Sequence, residues 1–84
     1  MSRWSVAWFR QSLAQAERHV AIGDDHVAFQ RRVIAELEAD QLDARTEKDL
    51  LVTLELVQVA RLVRLRQARG DLVAALPRPK GEQL

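Results

Sequence analysis

Two histidines are the residues whose type and spacing come closest to a chemical site in this sequence. His19 and His26 stand seven residues apart, which places them on one face of a helix. The acidic residues Glu17, Asp24 and Asp25 lie close by. Imidazoles from two copies of the chain could together bind a metal ion or haem. A single helix chelates best through closer spacing, so we predict no cofactor and keep both histidines only as candidate metal ligands.

Nucleophilic catalysis finds no support in the sequence. The candidate nucleophiles Ser2, Ser5 and Ser12 have no histidine at adjacent spacing, and a glycine-rich phosphate loop is absent. Carboxylates are frequent in residues 36–49, but basic residues interrupt them. That pattern is typical of a solvated helix end and turn. We therefore predict that the protein is not an enzyme.

The composition is that of one small folded domain. The chain has 84 residues, a formal net charge of +1 and no cysteine. A chain of this length buries a modest core, and disulfides cannot reinforce it, so association with a second copy is a natural remedy. Arg10 interrupts the N-terminal segment before any signal peptide could form, and no apolar run is long enough to span a membrane. We expect a cytoplasmic protein.

The first half of the sequence carries a heptad pattern that predicts one long helix over about residues 5–39. Alternating steps of four and three place nine positions on one stripe, of which seven are apolar. A break at Gly23, with Asp24 capping a new helix, would instead produce a monomeric three-helix bundle. The apolar phase continues through Gly23, which favours the unbroken helix. The nine positions are Phe9, Leu13, Ala16, Val20, Gly23, Val27, Gln30, Ile34 and Leu37.

The second half predicts a second helix, so the fold class is all-α, a long antiparallel helical hairpin. Residues 40–43 lack apolar periodicity and predict the turn. A helix over about residues 44–76 follows, because nothing before Pro77 forbids it. We expect residues 1–76 to form a single helical domain and residues 77–84 a flexible C-terminal tail.

The middle of the second helix is apolar on two sides. Between Leu50 and Leu65, eleven of sixteen residues are apolar. Since one neighbouring helix cannot cover two opposite sides, we predict that two hairpins form a homodimeric four-helix bundle. One side of the helix consists of Leu50, Leu54, Val57, Leu65 and Leu72. The predicted dimer core combines the other side with a second stripe of the first helix: Val52, Leu56, Val59, Val63, Ile22, Phe29 and Val33.

Charge is unevenly distributed along the predicted hairpin. Residues 34–55 at the turn hold seven acidic and two basic side chains, whereas the open end is basic. An antiparallel dimer would place each acidic turn beside the basic open end of its partner. With the turn near residues 41–42, Gly23 is expected level with Ala60, and Asp24 near Arg61.

The open end provides a candidate surface for another partner. The aromatic residues could dock a protein or anchor at an anionic membrane surface, and the arginines could bind nucleic acid. The arginines spread around the helix, however, and cations are favoured near a helix C-terminus in any case. We therefore favour a non-enzymatic interaction or regulatory module, with nucleic-acid or membrane-surface binding as the alternative and a metal- or haem-binding bundle third. The candidate residues are Trp4, Trp8, Phe9, Arg61, Arg64, Arg66 and Arg69.

Residues 16–60 contain three segments with a recognisable pattern: Ala16–Arg32, Ile34–Asp40, and Thr53–Glu55 with Gln58. They resemble short uncharacterised proteins of rhizobia and related α-proteobacteria. Gln41 stands where the resemblance implies glycine, and Arg61 stands where it implies histidine. The resemblance implies a helical hairpin and no particular activity.

Overall fold

Two long helices make up the fold in a computed structural model that describes residues 5–77. Helix α1 comprises Val6–Ala39 and helix α2 comprises Arg45–Ala75. The two helices pack side by side as a hairpin measuring 65 × 24 × 14 Å. The predicted all-α hairpin is therefore confirmed, and each helix lies within a residue of its predicted bounds. Most of the predicted tail, residues 78–84, lies outside the described residues.

Helix α1 continues through Gly23 without a break. Ser5 begins the helix, because its hydroxyl oxygen accepts a hydrogen bond of 3.2 Å from the backbone N–H of Trp8. Gly23 is buried inside the helix and does not adopt a positive φ. A glycine that ended a helix would adopt the left-handed conformation. The three-helix alternative with a break at Gly23 is therefore wrong.

The turn forms through the hydrogen-bond pattern of a Schellman motif. The backbone N–H of Leu42 donates to Leu37 O at 2.8 Å, and that of Gln41 donates to Glu38 O at 3.1 Å. Gln41 adopts a φ of 59°, the left-handed region that glycine occupies most readily. The chain thus reverses at a residue whose side chain is poorly suited to the backbone conformation.

An exposed ion pair accompanies the start of α2. The carboxylate of Asp43 accepts hydrogen bonds from the backbone N–H of Arg45 at 3.0 Å and from its guanidinium at 2.8 Å. The Arg45 side chain, followed by its backbone N–H, lowers the pKa of Asp43 below the ordinary value. This pair satisfies one backbone donor at the helix start, where no side chain acts as the N-cap itself.

The heptad predicted for α1 is the side that packs against α2, and we call this contact the interhelical seam. All nine heptad positions are buried or half-buried. The buried cluster consists of Ala16 with Leu65 and Ala68, and Leu13 and Val20 pack against it. The seam of α2 follows the same alternating spacing: Ala44, Glu47, Leu51, Leu54, Gln58, Arg61, Leu65, Ala68, Leu72 and Ala75.

The side of α2 that packs against α1 differs from the side that its apolar pattern predicted. Leu54, Leu65 and Leu72 contribute to the seam, whereas Leu50 and Val57 from the same predicted side remain 48% and 41% exposed. Gln58 is buried in the seam and Arg61 is half-buried there, so α2 is rotated away from Leu50 and Val57.

No helix in the described part of the chain is long and apolar enough to cross a membrane.

The register of the hairpin places Gln58, not Ala60, beside Gly23. Gln58 Nε2 donates to Val20 O and to Asp24 Oδ1, both at 2.8 Å. Ala60 is exposed, so the expected approach of Gly23 to Ala60 is wrong. The physical reason is that the Gln58 side chain fills the space beside Gly23, so the backbones of the two helices do not come into close contact there.

Ion pairs on one side of the hairpin agree with this register. Arg31 pairs with Glu55 at 3.3 Å, and Lys48 pairs with Glu38 at 2.9 Å. Asp24, which the sequence placed near Arg61, accepts a hydrogen bond from Gln58, and the Arg61 side chain reaches the neighbouring Gly23. Because both ion pairs are exposed, they help to specify the register and contribute little stability.

Candidate functional site

The back of α2 carries an exposed apolar stripe. Val52, Leu56, Val59 and Val63, which we call the α2 back surface, are between 56% and 66% exposed. Steps of four, three and four place them on one stripe of the helix. Since the seam occupies nearly the opposite side of α2, this stripe points away from α1. Isolated exposed apolar residues are ordinary in proteins, but a contiguous patch marks an interaction site.

The other predicted core residues lie elsewhere on the hairpin. Ile22 is 49% and Phe29 is 59% exposed, and Val33 is half-buried beside them; we call these three the α1 flank. The α1 flank belongs to α1, whereas the α2 back surface points away from that helix. The seven residues predicted as one dimer core therefore lie on two surfaces of the single hairpin.

Several exposed apolar residues were not identified from the sequence. Leu62 is exposed and borders an open groove of about 270 Å³ together with Val59, Gln58 and Arg31. Val73 and Leu42 are 70% and 57% exposed, respectively. The sequence did contain a pattern that indicates Val73 as part of this surface, because Val73 follows Val52 and Val59 at multiples of seven residues. Leu42 carried no such signal, since it lies in the turn.

The histidines do not form a metal site within one chain. His19 and His26 are both exposed on α1. Among residues 5–77, no group of three or more histidine, cysteine, aspartate or glutamate side chains could hold a metal ion. A site built from these histidines would therefore need ligands from a second copy of the chain.

The aromatic residues at the open end divide between surface and seam. Trp8 is 39% exposed, and its ring meets Phe9 edge to face with centroids 5.1 Å apart. Phe9 is half-buried at the end of the seam and borders a groove with Asp71 and Ala75. Trp4 lies outside the described residues. Phe9 thus closes the end of the core, and Trp8 is the aromatic residue here with a substantial exposed area.

The four candidate arginines do not form a common face. Arg61 is half-buried in the seam, and its Nη1 atom lies 2.7 Å from the position that a Cβ on Gly23 would take. Arg64, Arg66 and Arg69 are exposed. Arg66 and Arg69 are three residues apart and are neighbours on α2, whereas Arg64 points to nearly the opposite side of the helix. A continuous basic stripe, which nucleic-acid binding favours, is not formed by these residues.

Comparisons with protein-family models, with curated proteins and with solved structures found no match to this chain. The surfaces of the hairpin are therefore the features that bear on its function. Among those surfaces, the α2 back surface combines high exposure, apolar character and continuity along one helix.

Proposed function

We propose that the protein is a non-enzymatic helical module that acts as a homodimer, with the α2 back surface as its association site. The observation that supports this proposal is the exposure of Val52, Leu56, Val59 and Val63 on the side of α2 that points away from α1. Full burial of one such side chain contributes about 1.5–3 kcal/mol relative to leaving it exposed. Covering the patch in both copies would therefore provide a substantial driving force for association.

The need for a second copy also follows from the size of the fold. One hairpin has a single contact between two helices, and its buried apolar cluster is small. Short domains of this kind are marginally stable alone, and oligomerisation supplies further buried area. In this proposal, association both stabilises the hairpin and assembles the form that meets any further partner. The absence of cysteine is compatible with action in a reducing compartment such as the cytoplasm.

Binding to nucleic acid or to an anionic membrane surface has weaker support. The exposed arginines of α2 are divided between two nearly opposite sides of the helix, with Arg64 on one and Arg66 and Arg69 on the other, and the formal net charge of the chain is only +1. An electrostatic binder concentrates positive charge on one face. We therefore rank this alternative below self-association.

Sedimentation equilibrium at micromolar concentration tests the proposal. We expect twice the mass of one chain for the native protein and a single-chain mass for Val59→Asp, because a carboxylate would otherwise be buried without a partner. Val59 is exposed within one hairpin, so this variant should retain its helical circular dichroism.

Ile22→Asp is the matched control, since Ile22 is a comparably exposed apolar residue on the α1 flank. It should leave the mass of the dimer unchanged. A native protein that sediments as a single chain would contradict the proposed function. A dimer dissociated by Ile22→Asp and not by Val59→Asp would assign association to the α1 flank instead.

A further inference from the structure

We propose that two copies pair through α2 in an antiparallel arrangement with a specific register, in which Val52 faces the partner's Val63 and Leu56 faces the partner's Val59. This inference rests on the proposed self-association and specifies the helix, direction and register of the contact. The stripe that contains the α2 back surface continues in both directions along α2 with the same alternating spacing: Arg45, Asp49, Val52, Leu56, Val59, Val63, Arg66, Gly70 and Val73.

The charges at the two ends of the apolar patch favour the antiparallel direction. Asp49 precedes Val52 by three residues, and Arg66 follows Val63 by three residues. A two-fold axis between Leu56 and Val59 therefore brings Asp49 opposite the partner's Arg66, and this happens twice in the dimer. Parallel pairing would instead place Asp49 against the partner's Asp49. Within residues 5–77, neither Asp49 nor Arg66 forms an ion pair in the single chain, so both charges are available.

The same register accounts for Gly70. A glycine inside a helix costs about 1 kcal/mol relative to alanine. Nothing in the hairpin lies within 4 Å of the position that a Cβ on Gly70 would occupy, so packing against α1 does not explain the glycine. In the proposed register, Gly70 lies level with the partner's Arg45, whose guanidinium stays paired with Asp43 of its own chain while its aliphatic part passes over Gly70. The missing side chain would leave room for it.

Exposed apolar residues also lie near the ends of the proposed contact. Val73 is the most exposed large apolar residue of the described chain, and Leu42 is exposed in the turn. In the proposed register, Val73 lies beyond the partner's Arg45, the first residue of α2, and therefore reaches toward the turn that carries the partner's Leu42.

A second α2 fits this stripe better than α1 of a partner does. The side of α1 that points away from the seam carries a row of exposed polar and charged side chains next to Ile22 and Phe29 of the α1 flank, and the members of that row would be desolvated without partners against valine and leucine. Like-charged approaches oppose the proposed register where Lys48 and Arg45 come near the partner's Arg69. Lys48 is already paired with Glu38 at 2.9 Å, and Arg45 with Asp43 at 2.8 Å. The row on α1 is Gln11, Arg18, Asp25 and Arg32.

Disulfide cross-linking measures the register directly, because the chain has no cysteine of its own. A disulfide needs Cα atoms about 4.4–6.8 Å apart. In the proposed register, Val52→Cys and Val63→Cys chains cross-link to each other when mixed and oxidised. Each variant alone stays uncross-linked, because its two cysteines lie about 16 Å apart along the helix. Cross-linking of Val52→Cys alone, with no additional product in the mixture, would overturn the proposal in favour of parallel pairing.

A charge exchange tests the Asp49 pair independently. Asp49→Arg or Arg66→Asp should each weaken the dimer about tenfold or more, because each places like charges together twice. The double variant Asp49→Arg/Arg66→Asp should restore dimerisation, and a mixture of the two single variants should form a heterodimer with complementary charges. Single variants that dimerise as tightly as the native chain would overturn the register. A native chain that is monomeric would contradict the proposed function itself, so the two failures are distinguishable.

Discussion

The side-chain amide of Gln58 occupies the space beside Gly23 that a side chain at position 23 would need. The Gln58 Cδ atom lies 2.6 Å from the position of a Cβ on Gly23, and Oε1 lies closer still. Hydrogen bonds from Nε2 to Val20 O and Asp24 Oδ1 hold the amide in this orientation. Gln58 Oε1 is buried and has no hydrogen-bond partner. The glycine thus allows a polar side chain to cross the seam at the middle of the hairpin.

Gly23→Ala should therefore lower the free energy of unfolding by about 1–2 kcal/mol. The added methyl displaces the Gln58 amide and leaves buried polar groups unpaired, which costs more than the roughly 1 kcal/mol that alanine contributes as a better helix former. Urea denaturation in the Val59→Asp background measures this effect without a contribution from association.

Gly70→Ala is the matched control for that measurement, because nothing lies near its missing side chain in the single hairpin. It should raise the free energy of unfolding by about 0.5–1 kcal/mol in the same background. In a Gln58→Ala chain, Gly23→Ala should lose most of its cost, since the obstructing amide is gone. A cost that persists there would show that Gln58 is not the obstacle.

Gln41→Gly should stabilise the hairpin by about 0.5–1 kcal/mol. Gln41 has a φ of 59°, a conformation that costs a residue with a side chain about 1–2 kcal/mol relative to the right-handed helix, while glycine also increases the entropy of the unfolded chain. Gln41→Ala should change the stability little, because it retains a Cβ. Thermal unfolding of the three proteins distinguishes these outcomes, and equal melting temperatures for glycine and alanine would contradict the backbone argument.

The ion pair between Asp43 and Arg45 should contribute a pH-dependent stabilisation. Because Arg45 lowers the pKa of Asp43 in the folded protein, the contribution is present above the unfolded-state value of 3.8 and is lost as the pH falls through the folded-state pKa. An NMR titration should find the Asp43 pKa below 3.8 in the native chain and closer to that value in Arg45→Gln. An unchanged Asp43 pKa in Arg45→Gln would exclude Arg45 as the cause.

The protein should not bind DNA with the steep salt dependence of a basic nucleic-acid-binding surface. The exposed side chain of Arg64 points to nearly the opposite side of α2 from those of Arg66 and Arg69, so few arginines can reach phosphates together. Fluorescence anisotropy with labelled duplex DNA at low and physiological salt measures the affinity for DNA and its salt dependence. Binding that weakens steeply with salt and is lost in Arg64→Gln/Arg69→Gln would favour the alternative function.

The rotation of α2 was the part of the fold that the sequence left open. Around Leu56, almost every direction of the helix is apolar, so the pattern did not distinguish the seam from the outer surface. The structure selects a seam with Gln58 and Arg61 in its middle and leaves Val57 exposed. This selection depends on contacts with α1, above all the hydrogen bonds of Gln58, and such pairwise contacts do not appear in the periodicity of one helix.

The sequence by itself determined the two helices, the turn and the side of α1 that packs. Those features depend on local geometry, because the number of residues per helical turn decides which side chains share a stripe. Only the tertiary structure decided that Gly23 lies opposite Gln58, and that the α2 back surface and the α1 flank are different surfaces of the hairpin. The physical reason is that register and helix rotation arise from the fit between two helices, such as the Gln58 amide beside Gly23, and the apolar pattern of one helix does not contain that fit.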